Sequence, residues 1–471
     1  MNLNKVVTRF APSPTGFMHV GSVRTAIYAW LFARKHAGKF ILRIEDTDRD
    51  REVEGSIAHI VESLEWFGLD IDEGPIKQSD RLENYKKWAC VLLEKGFAYP
   101  DPYTEQEVET FRKKAEDEKR PFLYRNHRPI ETSSWDGLKP LRFRVPEIKR
   151  YEWEDIVRGK LSAGEEALDD FILIKSDGYP TYNFAHVIDD HDMEVTHIMR
   201  GEEFISSTPK FLSLYDALGF MRPHIATMPV ILGPDGKKKL SKRDGAKDIL
   251  EYRAEGYMPE AMVNFLSLLG WHPEGDKEVL SVTELIEAFN ISKLQKGGAK
   301  FDEQKLLWLN FQHSKLLTPT QYLERLLSYM KTKDIQTPPY LEAIAHLLQE
   351  RAQTFGEAVL LLNEGEFSFM EEAIEKGSAE LLLKGAKTDA PTAKAHLEKI
   401  VEILKDCEPF TEATIKEAVY PYATEAGRAS VLWPMRVALS GREKSPDPFI
   451  LASLLGKDST LQRIEDASHL L

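Results

Sequence analysis

Several features that define other protein classes are scarce or missing in this chain of 471 residues. It has only two cysteines, Cys90 and Cys407, which lie far apart in the sequence. This number excludes a disulfide framework and a cysteine-rich metal cluster, and it fits a reducing compartment. The sequence has no long apolar run that would predict a transmembrane helix, and it contains no recognisable signal peptide. We therefore expect a cytoplasmic protein that does not bind membranes.

The two commonest phosphate-binding motifs are also missing. There is no G-x-x-x-x-G-K-[ST] P-loop and no G-x-G-x-x-G segment after the first predicted strand. A nucleotide site in this chain must therefore hold phosphate in another way. The formal net charge of -14 argues against a protein that coats nucleic acid nonspecifically. An enzyme that binds one RNA through a local basic surface remains compatible with the composition, because lysine and arginine supply 62 residues.

The hydrophobic pattern of the first part of the chain predicts an α/β fold. Residues 5–10 and 40–44 read as buried strands, and the apolar positions between His19 and about His36 have helical spacing. A strand, a helix and a second strand in this order predict a βαβ unit with a parallel sheet. Further helical patterns occupy 53–67 and 81–95, and the βα pattern resumes at 196–200.

Two other regions have a different character. The region from about 100 to 190 reads as an insertion, with a capping box at 104–107, strands at 141–145 and 171–174, and a turn at 176–179. After about residue 315 the strand signals largely vanish. Helical blocks at 322–330, 340–362 and 393–404 predict an all-α second half.

The most informative segment is residues 9–22, RFAPSPTGFMHVGS. It reads as the end of a strand, a turn stiffened by Pro12 and Pro14, and the start of a helix. In an open α/β sheet, ligands bind at the carboxyl ends of the strands, where helix N-termini point at them. His19 at the mouth of the helix is suited to donate hydrogen bonds to phosphate oxygens as they gain charge. Gly21 lets the backbone come close to a ligand.

A second informative segment, GPDGKKKLSKR at 233–243, begins with a turn and ends in concentrated positive charge. Mobile lysines suit a leaving pyrophosphate, because their attraction to it grows as the phosphorus–oxygen bond breaks. The acidic cluster EDTD at 45–48 is suited to hold a substrate ammonium. Individually, a histidine, a lysine run and an acidic cluster are most often surface or capping features. Their joint occurrence on a βα scaffold favours one nucleotide-binding site.

These segments resemble the class I aminoacyl-tRNA synthetases. HVGS at 19–22 looks like the HIGH signature, and KLSKR at 239–243 looks like the KMSKS loop, with an arginine at 243 that is usual in the glutamyl branch. Other motifs narrow the resemblance to the bacterial-type glutamyl-tRNA synthetases over about residues 5–310: RFAPSPTG at 9–16, RIEDTD at 43–48, GYPTYNFA at 178–185, VIDD at 187–190, IMRGEE at 198–203 and WLN at 308–310.

The resemblance implies that glutamate and ATP form glutamyl-adenylate, and that the glutamyl group then moves to the 3′-terminal adenosine of tRNA(Glu). The implied glutamate contacts are Arg9, Ala11, Ser13, Glu45, Tyr182 and Arg200. Among them, Arg9 is expected to pair with a carboxylate of the glutamate substrate, and Glu45 is expected to bind its α-ammonium. A bidentate arginine is well suited to a carboxylate, and it disfavours glutamine, whose amide presents donor hydrogens to a donor-only side chain.

The resemblance also implies the ATP contacts and the catalytic set. The expected ATP contacts are His19, Gly21, Glu203, Leu232 and Lys242, with ATP bound as its Mg²⁺ complex. The expected catalytic residues are His19, Gly21, Ser22, Lys239, Ser241 and Lys242. The reaction needs no nucleophilic side chain, because the substrate carboxylate and the ribose hydroxyl are the nucleophiles. Positioning and electrostatic stabilisation should therefore dominate.

The chain departs from many relatives at the insertion, where they hold zinc through cysteine and histidine ligands. The corresponding stretches here, YPDPY at 99–103 and YRNH at 124–127, contain no thiol. His127 alone reads as structural, so we expect no zinc and no other metal site. His186 stands where some relatives place asparagine in the amino-acid pocket, which leaves its contact with substrate open.

The expected architecture is an α/β Rossmann-like catalytic domain with an inserted α+β subdomain, followed by all-α helical C-terminal domains. The expected parts are a discontinuous catalytic domain at 1–98 and 190–245, an acceptor-end-binding subdomain at 99–189, a stem-contact domain at 246–315 and an anticodon-binding region at 316–471. Arg351, Arg436 and Arg442 are candidate anticodon contacts, because arginine suits both base edges and phosphates. We expect a monomer.

Several alternatives remain at this point. A nondiscriminating enzyme would charge both tRNA(Glu) and tRNA(Gln). Glutaminyl-tRNA synthetase is disfavoured, because it is expected to read Pro-Glu-Pro at 12–14 and to end in β-barrels. The short enzyme that glutamylates a queuosine base, and nucleotidyltransferases that act on small cofactors, would not need the long helical second half. A synthetase-like RNA-binding protein without catalysis is disfavoured, because His19 and Lys242 are intact.

Overall fold

The computed structural model describes residues 5–130, 134–240, 247–371 and 379–471. The chain divides into two compact units, Met1–His313 and Ser314–Leu471. The strands are β1 (Val7–Phe10), β2 (Lys39–Ile44), β3 (Glu73–Lys77), β4 (Ala98–Pro100), β5 (Leu141–Phe143), β6 (Tyr151–Asp155), β7 (Gly159–Ala163), β8 (Ile172–Ile174), β9 (His197–Gly201), β10 (His224–Met228), β11 (Ile231–Leu232) and β12 (Ala299–Lys300).

The helices up to residue 315 are α1 (Val20–Lys35), α2 (Ser56–Trp66), α3 (Leu82–Glu94), α4 (Glu105–Asp117), α5 (Tyr182–Asp192), α6 (Thr208–Leu218), α7 (Ile249–Ala254), α8 (Pro259–Leu268), α9 (Val282–Ala288) and α10 (Glu303–Lys315). The later helices are α11 (Pro319–Thr332), α12 (Leu341–Arg351), α13 (Phe355–Asn363), α14 (Ala379–Lys384), α15 (Ala390–Lys405), α16 (Glu412–Ala426), α17 (Arg428–Ser440) and α18 (Pro448–Ser468). None of the helices in these described ranges is long and apolar enough to cross a membrane.

A seven-stranded sheet forms the centre of the first unit, in the order β3-β2-β1-β9-β10-β6-β7. β1 pairs in parallel with β2 and β9, and β10 pairs in parallel with β9 and β6. The βαβ prediction and the Rossmann-like fold class are confirmed by this topology. Because β1, β2 and β9 are parallel and adjacent, the residues that follow Phe10, Ile44 and Gly201 meet at one edge of the sheet.

The region around 100–190 contributes to two sheets. β4, β5 and β8 form an antiparallel three-stranded sheet, and α4 begins at Thr104 with the expected capping box to Glu107. The sequence reading did not identify β6 and β7, which form an antiparallel pair at the end of the large sheet. These two strands contain few apolar residues. In β6, for example, Trp153 is half-buried and Glu152 is exposed. Their sequences therefore lack a clear strand signal.

Helix α1 connects β1 to β2 and is anchored at both ends. Its N-cap is His19, whose Nδ1 accepts hydrogen bonds from the backbone N–H groups of Gly21 at 3.0 Å and Ser22 at 3.4 Å. At the other end, a Cβ on Gly38 would overlap the carbonyl oxygen of Val6. That close approach requires glycine, so the turn from α1 into β2 depends on Gly38.

The second unit is helical in its described residues, as the sequence predicts. Helix α15 buries Leu397, Ile400 and Leu404, which recur at helical spacing on one face. Helices α15, α17 and α18 pack closely on one another. In the same unit, the indole N–H of Trp433 donates to the carbonyl oxygen of Leu381 at 2.9 Å.

Candidate active site

A cavity of about 1010 Å³ opens at the carboxyl ends of the parallel strands. Segments that follow β1, β2 and β9 form much of its wall, together with the start of α1 and the start of α5. The predicted site residues that line it are Arg9, Ala11, Ser13, His19, Ser22, Glu45, Tyr182, Arg200 and Glu203. The sheet thus brings together residues from five separate sequence motifs in one cavity.

Two arginines from adjacent strands are buried at this cavity. Arg9 of β1 and Arg200 of β9 are 5% and 6% exposed. Nε of Arg9 donates to Oδ1 of Asp190 at 3.0 Å. Arg200 has a hydroxyl partner instead, because its Nη2 donates to Oγ1 of Thr208 at 2.7 Å and its Nε has no hydrogen-bond partner. Burial lowers the pKa of Arg200, and the nearby charge of Arg9 lowers it further.

A buried ion-pair network lies directly behind the cavity wall. Arg43 of β2 donates to Oδ1 of Asp190 at 2.7 Å and to Oε1 of Glu45 at 3.0 Å. Burial opposes ionisation of Asp190, but the charges of Arg9 and Arg43 outweigh it and lower the pKa of that carboxyl. Burial raises the pKa of Glu45, although Arg43 and Arg9 oppose that rise. The network, which includes Arg9, holds four charged side chains in fixed positions at the cavity.

Asp189, which precedes Asp190 on α5, anchors this helix from its other side. Its carboxylate accepts hydrogen bonds from Gln78 at 2.8 Å, Arg81 at 2.8 Å and Tyr85 at 2.8 Å. Asp189 and Asp190 are both fully buried and follow each other on α5, so they point in different directions. Together they tie α5 to α3 on one side and to β1 and β2 on the other.

Tyr182 and His186 form a stacked pair on α5. Their ring centroids are 4.7 Å apart with an interplanar angle of 14°. Nδ1 of His186 lies 2.7 Å from the carbonyl oxygen of Tyr182, and burial lowers the pKa of His186 to about 3. The imidazole is therefore neutral at neutral pH, with its proton on Nδ1 because a carbonyl only accepts. His186 supports the Tyr182 ring and is not among the residues that line the cavity.

Sequence reasoning gave no role to several residues that the structure places at the site. Arg43 and Asp190 lie within recognised motifs, but they are 147 residues apart in the sequence. A sequence pattern does not reveal which charges pair over such a distance along the chain. Thr208 carries no motif signal at all. Other polar or charged lining residues without an assigned role are Thr15, Thr25, Asp50, Arg51, Lys175 and Thr181.

Leu232 and Lys239 lie on a short hairpin that follows β10. They face each other across an antiparallel bridge, and the backbone N–H of Leu240 donates to Ile231 at 2.8 Å. Lys239 is exposed, and neither residue lines the cavity. Ser241 and Lys242, which were assigned to the catalytic set, lie outside the described residues.

The three arginines proposed for RNA contact each have a partner within the second unit. Arg351 pairs with Glu366, and Nη2 of Arg442 donates to Oγ of Ser368 at 2.6 Å. Arg436 lies over the ring of Trp433, with its Cζ 4.6 Å from the ring centroid. Nη2 of Arg436 also donates to the carbonyl oxygen of Glu443 at 3.0 Å.

The insertion has an aromatic and ionic cluster in the stretches for which the sequence predicts no zinc. The Tyr124 hydroxyl donates to Asp101, and Nη2 of Arg142 lies 2.6 Å from the same carboxylate. His127 stacks on Phe111 with ring centroids 4.2 Å apart. Within the four described ranges, no group of three or more histidine, cysteine, aspartate or glutamate side chains is placed to hold a metal ion. The absence of zinc stays a prediction.

Two family models match the chain. The model described as "tRNA synthetases class I (E and Q), catalytic domain" matches residues 5–308, and "Anticodon binding domain" matches residues 321–468. A curated relative, glutamate–tRNA ligase 1 of Caldanaerobacter subterraneus subsp. tengcongensis, is 41% identical and aligns over 99% of this chain and 98% of its own length. The glutamate–tRNA ligase of Thermodesulfovibrio yellowstonii is 40% identical, with 98% of each chain covered.

Solved structures agree with the sequence relatives. The crystal structure of a glutamate tRNA ligase from Elizabethkingia meningosepticum, in complex with its amino acid, superposes with a TM-score of 0.83. It is 34% identical to this chain, and 99% of each chain is covered. The glutamate-tRNA synthetase of Elizabethkingia anophelis gives a TM-score of 0.80 at 34% identity.

Proposed function

The chain belongs to the class I tRNA synthetases for glutamate and glutamine, and from this premise we propose that it is a glutamate–tRNA ligase. It activates L-glutamate with ATP to glutamyl-adenylate and transfers the glutamyl group to the 3′-terminal adenosine of tRNA(Glu). Its full-length relatives and structural neighbours carry the same activity in their names.

The observation that carries this proposal is that two buried arginines, Arg9 and Arg200, line the same cavity. Arg9 already shares the Asp190 carboxylate with Arg43, whereas Arg200 has no carboxylate partner in the described part of the chain. A buried guanidinium without a counter-charge is costly, and an entering carboxylate removes that cost. A substrate carboxylate therefore fits between these arginines, and a neutral amide gains less there.

Glu45 completes the amino-acid site with the opposite charge. Its Oε1 is held by Arg43, and the residue lines the cavity. Burial raises the pKa of Glu45, so a substrate ammonium beside it would stabilise the ionised form. Arginines on one side and a carboxylate on the other match an acidic amino acid, which has two carboxylates and one ammonium.

His19 is oriented for the phosphate side of the reaction. Its Nδ1 accepts hydrogen bonds from the backbone N–H groups at the start of α1. A neutral imidazole whose Nδ1 accepts carries its proton on Nε2, so that nitrogen can donate to a phosphate oxygen. Its position at a helix N-terminus adds a favourable field for negative charge. We propose Ser22 and Glu203, which line the cavity, and Gly21, which is not among the lining residues, as further ATP-side residues.

Enzymes of this family use ATP. We propose that here it binds as the Mg²⁺ complex, with the phosphates meeting Lys239, Ser241 and Lys242, and the nucleoside meeting the Leu232 backbone. We propose further that the enzyme acts as a cytoplasmic monomer, that 99–189 contacts the tRNA acceptor end and that 246–315 contacts its stem. The all-α region from 316 would bind the anticodon.

ATP–pyrophosphate exchange tests the proposal, with tRNA(Glu) present and glutamate, glutamine or aspartate as the amino acid. We expect exchange with glutamate, and an Arg200→Leu variant should lower kcat/KM for glutamate at least about a hundredfold, as loss of a charge-assisted contact predicts. Arg222→Leu is the matched control, because Arg222 is an exposed arginine of the same unit that pairs with Asp216. No exchange by the folded wild-type protein would refute the proposed activity.

A further inference from the structure

His59 contacts two of the segments that meet near the ATP end of the cavity. It lies on α2, next to Ile60, which lines the cavity. Nε2 of His59 is 2.7 Å from Oδ1 of Asp248, and its Nδ1 is 3.4 Å from the backbone nitrogen of Met18. The motifs that identify the family do not include this histidine, and it is separated by 189 residues from Asp248.

Contacts at both ring nitrogens fix the orientation of the imidazole. The backbone nitrogen of Met18 and Oγ of Ser63 both lie 3.4 Å from Nδ1 of His59. On the other side of the ring, Nε2 faces the carboxylate of Asp248 at 2.7 Å. The ring of Phe17, another cavity-lining residue, stacks on His59 with centroids 4.7 Å apart. The polar contacts and the stacking contact together determine how the imidazole is oriented.

Backbone contacts join the same segments to each other. The backbone N–H of Ile249 donates to the carbonyl oxygen of Met18 at 3.0 Å. His19 and Asp248 face each other across an isolated antiparallel bridge. Oδ1 of Asp248 also accepts from the backbone N–H of Leu250 at 2.8 Å, which caps α7. His59 therefore braces the backbone from which the His19 side chain projects.

We propose that His59 is a positioning residue for the ATP half of the reaction, an inference that rests on the proposed function. It holds the Met18–His19 backbone and Asp248 in one geometry, so that His19 meets the phosphates where charge develops. Displacements of about 1 Å in such a group cost up to about a hundredfold in rate. The amino-acid arginines lie on β1 and β9 and do not touch His59 or Asp248, so glutamate binding should not depend on this brace.

The test uses three variants of the full-length enzyme in ATP–pyrophosphate exchange with tRNA(Glu) present. His59→Phe keeps a ring against Phe17 but removes the polar contacts of both ring nitrogens, and His59→Gln restores a neutral donor and an acceptor. Arg253→Met is the matched control, because Arg253 forms the exposed ion pair with Glu62 that also joins α7 to α2, at 2.5 Å. The thermal unfolding midpoint is measured for each variant.

We expect His59→Phe to lower kcat/KM for ATP about tenfold, the effect of one hydrogen bond to a charged group, with KM for glutamate changed less than twofold. His59→Gln should recover most of the loss, and Arg253→Met should match the wild type. An unchanged kcat/KM for ATP in His59→Phe would overturn the inference. Equal rises in KM for ATP and in KM for glutamate, together with a lowered unfolding midpoint, would overturn it too, because they indicate a purely structural role. Absence of exchange in the wild type would instead refute the proposed function itself.

Discussion

Arg9 and Asp190 form a buried ion pair in which Nε and Oδ1 are 3.0 Å apart, although 181 residues separate them in the sequence. The same Oδ1 accepts from Arg43 at 2.7 Å. One carboxylate oxygen therefore sets the positions of two guanidinium groups, one of which lines the cavity and the other of which holds Glu45.

Replacing Asp190 should disturb amino-acid binding more than ATP binding. In Asp190→Asn the amide leaves Arg9 buried without its counter-charge, which typically destabilises a protein by about 3–5 kcal/mol, whereas Arg43 keeps its ion pair with Glu45. We expect KM for glutamate to rise about tenfold or more and KM for ATP to change less than twofold. Asp192→Asn on the same helix is the control, because Asp192 is exposed and pairs with Arg81 and Asn84. Equal changes in both KM values would show that Asp190 does not position Arg9.

The pH dependence of stability should contain a contribution from His186. The pKa of His186 is lowered by burial to about 3, whereas an unfolded histidine titrates near ~6.5. Between these values the unfolded chain binds the extra proton, so the free energy of unfolding should fall as pH decreases below about 6.5, by up to about 1.4 kcal/mol per pH unit. Above that pH the group contributes no pH dependence.

Urea unfolding of the wild type and His186→Asn at pH 7, 6 and 5 measures this contribution. The variant should be less stable at pH 7 because it loses packing, and its deficit should shrink as the pH falls. His272→Asn, at an exposed position of the same unit, should keep a constant difference from the wild type. A deficit that is independent of pH for His186→Asn would contradict the account.

Gly38→Ala should destabilise the first unit. The added Cβ would overlap the Val6 carbonyl oxygen, which already accepts from the backbone N–H of Lys39 at 2.8 Å. Overpacking of this kind costs about 1–3 kcal/mol, and it should appear as a lower free energy of unfolding. Gly297→Ala has open space around the new Cβ, so it should stay within about 0.5 kcal/mol of the wild type. Similar effects from both substitutions would refute the packing argument.

Arg436→Ala should weaken tRNA binding without changing amino-acid activation. The guanidinium is held over Trp433 and its Nη2 donates to the carbonyl oxygen of Glu443, so it is ordered. If it contacts the anticodon, KM for tRNA(Glu) should rise about fivefold to tenfold, as loss of one base or phosphate contact predicts. Arg428→Ala is the matched control, because Arg428 also stacks on a ring, that of Tyr420, in the same unit. No change in KM for tRNA would remove Arg436 from the proposed interface.

The sequence predicted the parts of the molecule that depend on local signals. The helix that begins at His19, the strand at 40–44 and the capping box at Thr104 have clear patterns of apolar spacing or turn chemistry, and the structure confirms them. The motif residues Arg9, Glu45, Tyr182 and Arg200 do meet at one cavity.

Long-range pairing was harder to predict. Which carboxylate neutralises Arg9 depends on the parallel order of β1, β2 and β9 and on where α5 packs against them, and a linear pattern does not contain that information. The same limit applies to His59 and Asp248, whose contact is visible only in three dimensions. β6 and β7 were missed because each strand has only five residues and few of them are apolar.

The most direct test of the central claim is aminoacylation of purified tRNA by the purified protein with ATP, Mg²⁺ and labelled glutamate, measured as acid-precipitable label. tRNA(Glu) and tRNA(Gln) are assayed in parallel, with Arg200→Leu and Arg222→Leu beside the wild type. The account predicts label on tRNA(Glu) from the wild type and Arg222→Leu, and a loss of at least about a hundredfold in Arg200→Leu. Label on tRNA(Gln) as well would identify a nondiscriminating enzyme. No label on either tRNA from folded wild-type protein would contradict the account.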